Sequence, residues 1–126
     1  DEVCRGCKRH FKEIIDWNGY NSEQKIRILS RLEEQMLKII ANYFEIHSDA
    51  DLKTKLSELK IEYRPDYQLL CAIFPLLEYL SEQTPKVNWI EYGLIFKGPK
   101  DQDPKKLFET MDDQLYQLAL TEASVV

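Results

Sequence analysis

The chain has 126 residues, 44% hydrophobic and 31% charged, which fits one globular domain and excludes a disordered chain. A membrane-spanning helix needs about 20 apolar residues, whereas the longest apolar stretch, residues 69–77, has nine including Pro75; together with the start Asp1-Glu2-Val3, which is not a secretory leader, this predicts a cytoplasmic protein with no membrane partner. The 22 acidic and 17 basic side chains give −5, which disfavours nucleic acid as a partner, and three cysteines are too few for a disulfide framework.

In chain order, Cys4 and Cys7 come first, set among Arg5, Lys8, Arg9 and Lys12. Phe11, Ile14 and Ile15 then take helical spacing in a short helix over residues 9–17, which Gly19 stops. Asn21 followed by Gln24 is a capping-box pattern opening a long helix, expected to run to about Ile46. Its stripe is Leu29, Leu32, Met36, Ile39, Tyr43 and Ile46, widened by Ile26, Leu37, Ile40 and Phe44, so the helix is expected to pack on two sides. His47 would cap its carboxyl end, where the helix dipole favours a cation. Ser48 or Asp49 caps a helix over residues 50–59 that buries Leu52, Leu56 and Leu59. Pro65 suits the first turn of a central core helix, residues 65–81, kinked or broken near Pro75, with Cys71 as an inert core thiol. Thr84-Pro85 and Gly98-Pro99 bracket a further helix carrying Val87, Ile90 and Leu94; a strand is the alternative, because Val87, Trp89 and Glu91-Tyr92 partly alternate. Residues 97–103 have linker composition, and Asp103-Pro104 opens a last helix to about Thr121. The fold class is therefore all-α with about six helices and a short Cys-x2-Cys knuckle: residues 1–20 form the knuckle with its short helix, and residues 21–126 a helical bundle.

Cys-x2-Cys brings two thiols close enough to bind one metal ion or to form one strained disulfide. Tetrahedral zinc takes four ligands and an iron–sulphur cluster usually four thiolates, so the pair is half of a site. His10 extends the spacing to Cys-x2-Cys-x2-His as a candidate third ligand. Glycine at position 6 would permit positive φ, letting backbone N–H groups point at sulphur, and Arg5, Lys8 and Arg9 would stabilise thiolate charge.

The run Cys4-Arg5-Gly6-Cys7-Lys8-Arg9, then Glu13-Ile14, Trp17 and Asn21-Ser22 with Lys25, resembles a small bacterial family, the cysteine-rich domain of unknown function 1289, often described as predicted iron–sulphur proteins. The resemblance covers residues 3–32. It implies Cys4 and Cys7 as ligands, Arg5, Gly6 and Arg9 as their supporting turn, and Glu13 and Trp17 as the tie to the following helix. The family pattern has no histidine at the position of His10, which favours a surface histidine, and it places a first cysteine pair ahead of Asp1. The expected function is thus a non-catalytic metal- or iron–sulphur-binding accessory protein, its cofactor zinc or a cluster, with two of four thiolates upstream of this chain. The alternative is a helical protein–protein interaction module, self-associating through the stripe or through Trp89, Tyr92 and Phe96, with the knuckle as a basic tip; core packing is the competing role for these residues. No enzyme is expected: His10 is the single base near the cysteines, carboxylates are scattered along helix faces, and no glycine-rich phosphate loop is present.

Overall fold

The structure, a computed structural model, describes residues 2–98 and 103–122. Among these residues the architecture is mostly helical, with five α-helices and a two-stranded antiparallel sheet: α1 Phe11–Ile15, α2 Ser22–Ile40, β1 Phe44–Ile46, α3 Asp49–Glu58, α4 Ile73–Ser81, β2 Leu94–Phe96 and α5 Pro104–Thr121. The expectation of about six helices is corrected in two places, and both corrections create the sheet.

The first concerns α2. Its start is as the sequence predicts: Gln24 N donates to Asn21 Oδ1 at 2.8 Å and Asn21 N to Gln24 Oε1 at 2.9 Å. Its end falls at Ile40 instead of Ile46. The amides of Asn42 and Tyr43 donate to the Ile39 and Ile40 carbonyls, closing the helix with a tight turn. Beyond it Phe44 is buried, Glu45 exposed and Ile46 half-buried, an alternation that a strand satisfies as well as a helix does. His47 accordingly follows a strand, is exposed, and caps no helix.

The second concerns residues 85–97, where the expected helix reduces to one 3-10 turn, Trp89–Tyr92, followed by β2. The Thr84 hydroxyl exchanges hydrogen bonds with Lys86 backbone groups, a local turn that competes with helix capping. Gly93 sits at φ 71°, and a Cβ there would run into the Ser48 carbonyl oxygen. Its own carbonyl accepts from His47 N at 2.6 Å and Ser48 N at 3.0 Å, which holds β2 beside β1 in the register Phe44↔Phe96, Glu45↔Ile95, Ile46↔Leu94.

The central apolar run is also shorter as a helix than expected. Residues 65–67 form a turn, a 3-10 stretch follows at Leu69–Ala72, and α4 begins at Ile73. The break therefore precedes Pro75, which lies in the first turn of α4, where a missing N–H leaves no intrahelical bond unmade. The helices at Asp49–Glu58, capped by Ser48, and Pro104–Thr121, capped by Asp103, agree with the sequence reading. The expected linker, residues 97–103, lies largely outside the described residues.

The core is built on α4, whose Ile73, Leu76, Leu77 and Leu80 meet Leu107 and Met111 of α5, Leu52 and Leu56 of α3, and Phe44 of β1. Trp89 packs edge-on to Phe44, with ring centroids 4.9 Å apart, and Phe96 lies 5.2 Å from Phe44. These aromatics, with Tyr92, pack against the core. On α2 the fully buried positions are Ile28, Arg31, Gln35, Ile39 and Ile40, whereas Ile26 is 62% exposed and Leu29, Leu32 and Met36 are half-buried. Among the described residues no helix is long and apolar enough to cross a membrane.

Candidate functional site: the cysteine knuckle

Residues 2–11 fold back on themselves. Val3 bridges His10 in antiparallel fashion; Cys4 N donates to the Arg9 carbonyl at 2.8 Å, Lys8 N to the Cys4 carbonyl at 2.9 Å and Phe11 N to the Glu2 carbonyl at 2.9 Å. The buried Val3 anchors this hairpin from below, and the thiols stand at its tip, Cys4 half-exposed and Cys7 exposed.

The tip is shaped for sulphur. Cys7 N donates to Cys4 Sγ at 3.5 Å, and Arg9 Nε donates to Cys7 Sγ at 3.4 Å. The Cys7 amide is the main cause that pulls the Cys4 thiol below its ordinary range; the Cys7 side chain, the Gly6 amide and the Lys8 charge act in the same direction. The left-handed residue that turns the chain is Lys8, at φ 65°, and not Gly6 as the sequence suggests. A Cβ on Gly6 would meet only Cys4 Sγ, at an ordinary 3.9 Å, so space does not demand glycine there.

A left-handed non-glycine residue costs about 1–2 kcal/mol, and Lys8 has compensating contacts. It is 5% exposed; its ammonium donates to the Arg5 carbonyl and, at 2.7 Å, to Asp112 Oδ1 on α5. Arg5 reaches the same helix, pairing with Asp112 at 3.6 Å and Asp113 at 3.2 Å while lying 4.5 Å over the Tyr116 ring. Asp112-Asp113 is thus the dock that receives two basic residues of the knuckle.

A second tie runs to α2. Glu13, 1% exposed, takes both guanidinium nitrogens of Arg31 at 2.6 Å, a bidentate buried pair, and accepts from His10 N at 3.0 Å. Trp17 is covered by Arg9, 4.9 Å from the ring centroid, and by Lys25 at 5.5 Å. Glu13 and Trp17 are the residues that the family resemblance implies for this tie. Arg31 is the partner that it misses. Its signal is the 28-31-35-39 spacing, a second helical row with two polar members beside the apolar one.

His10 is not brought together with the cysteines. Among the described residues, no three of His, Cys, Asp and Glu gather into a group able to hold a metal ion. Its ring turns inward, with Nε2 buried and without a hydrogen-bond partner among the described residues, in contrast to the surface position expected. Cys71 is buried far from the knuckle in sequence; burial pushes its thiol up to about 12, so it stays protonated at neutral pH.

Knuckle, α2, α4 and α5 together line an open cavity of about 650 Å³, walled by Leu32, Met36, Phe74 and Phe108 and bordered by Cys7 and Arg9. The half-buried stripe of α2 faces this space. Residues 1–36 match the family model described as protein of unknown function (DUF1289), which agrees with the resemblance drawn from the cysteine motif; residues 37–126 lie outside the match. No curated protein and no solved structure matches the chain.

Proposed function

We propose that the knuckle is one half of a four-thiolate metal or iron–sulphur centre, and that the protein is a non-catalytic accessory carrying it. The observation that carries this reading is the amide-to-sulphur hydrogen bond from Cys7 to Cys4. A loop of unrelated purpose has no need to aim a backbone donor at a thiol, whereas a ligating thiolate is stabilised by it. Cys4 and Cys7 would hold the metal, Arg9 and the Lys8 charge would balance the sulphur charge, and the ties to Asp112 and Arg31 would fix the loop on the helical body. The group when bound would supply either a structural staple or an electron-transfer centre. Two further thiolates have to come from outside the described residues, since coordination by four is the rule for both groups.

Anaerobic purification of the intact gene product, followed by metal analysis and a visible spectrum, tests this. The expected result is bound zinc without colour, or iron and sulphide with absorbance near ~400 nm, in either case lost in Cys4→Ser and Cys7→Ser while helix content by circular dichroism persists. Metal-free protein, or metal content unchanged in both serine variants, overturns it.

A further inference from the structure

The cavity beneath the knuckle has features that the metal reading does not use. Its volume, about 650 Å³, falls in the range of roughly 300–1,000 Å³ typical of small-molecule sites. Its walls are apolar: Leu32 and Met36 of α2, Phe74 of α4 and Phe108 of α5. An apolar hollow of this size left to water forfeits both burial and van der Waals contact.

The polar side chains around it bear on what would fill it. Gln35 lies in the wall and is 1% exposed; its Nε2 donates to Glu122 Oε1 at 2.8 Å, and its Oε1 is buried away from the cavity surface. Arg9 stands at the border, its guanidinium carbon 4.9 Å from the Trp17 ring centroid, and no carboxylate among the described residues pairs with it. The other charges are Lys8 with Asp112, which neutralise each other, Arg64, which is paired with Asp66 at 3.1 Å, and Glu78, exposed on α4. Arg9 is therefore the cation beside the apolar space that no carboxylate among the described residues neutralises.

We infer that this cavity binds a small amphipathic organic anion: an apolar, ring-sized or short-chain body between α2 and α4, and an acidic group on Arg9. Its apolar walls come from the helical body, while Cys7 and Arg9 of the knuckle border it.

The probe 8-anilinonaphthalene-1-sulfonate has this chemistry, an aromatic body with one acid. Titrated into the full chain, it is expected to bind saturably at one per chain with energy transfer from tryptophan, Trp17 lining the cavity. Leu32→Trp, which fills the space from the half-buried stripe, is expected to abolish binding. Arg9→Gln is expected to weaken binding about tenfold and remove most of its salt dependence. Circular dichroism on each variant separates loss of binding from loss of fold. Absence of saturable binding overturns the inference. So does binding unchanged by Arg9→Gln, which would mark adsorption to an apolar surface instead of recognition of the anion.

Discussion

The two ends of this molecule are held by opposite physics. At the knuckle the contacts that matter are charged: Glu13 grips Arg31, Lys8 reaches Asp112, and Arg5 spans Asp112 and Asp113. At the sheet end Phe44, Trp89 and Phe96 stack over Leu52 and α4 with scarcely a buried charge among them. An apolar core is non-directional and tolerates repacking, whereas a bidentate pair fixes distance and angle. The lesson is that the loop bearing the thiols is positioned by directional contacts, while the bulk of the fold is stabilised by burial.

The sharpest way to break the comparison is Glu13→Gln. It leaves Arg31 buried without its carboxylate, and urea unfolding is expected to show a loss of about 3–5 kcal/mol. The double change Glu13→Leu with Arg31→Met should recover most of that, since two apolar residues satisfy each other; no recovery would mean that the pair contributes more than its own charges. At the other end Leu77→Ala removes a fully buried side chain of α4, and its expected cost is about 2–5 kcal/mol, with no partner substitution able to restore it short of refilling the space. The smallest effect is on reactivity alone. In metal-free protein Cys4, its pKa lowered chiefly by the Cys7 amide, ionises at lower pH than an ordinary thiol, so its alkylation by iodoacetamide should rise earlier as pH increases. Cys71, pushed up to about 12, should stay unlabelled across the neutral range until the protein unfolds. Mass spectrometry of labelled peptides reads both, and equal rates at the two residues would contradict the assigned environments.

How far these contrasts are legible in the sequence varies with the range of the interaction. The capping box at Asn21 and Gln24, the Ser48 cap and the Asp103-Pro104 start are local, and each appears where the residues place it. So does the motif Cys4-Arg5-Gly6-Cys7, although the turn inside it is made by Lys8. The helix read through Ile46 and the helix read over residues 85–97 fail together. Phe44–Ile46 and Leu94–Phe96 fit either period locally, and they become strands because each supplies the other's hydrogen bonds across about fifty residues of chain. The charged dock on α5 was hidden for the same reason: Asp112-Asp113 reads as an ordinary solvated pair until the fold brings Lys8 and Arg5 to it.

By itself the sequence determined the largely helical class, the starts of three helices, the inert environment of Cys71 and the cysteine pair with the acidic and aromatic residues behind it. The first three rest on periodicity and on contacts within a few residues, and the residues behind the cysteine pair on the family resemblance. Only the tertiary structure decided that α2 stops at Ile40, that Gly93 closes a sheet, that Arg31 and Asp112 anchor the knuckle, and that the α2 stripe lines a cavity. Each of these depends on a partner far along the chain, and one chain read in order carries no direct record of which distant residues will meet.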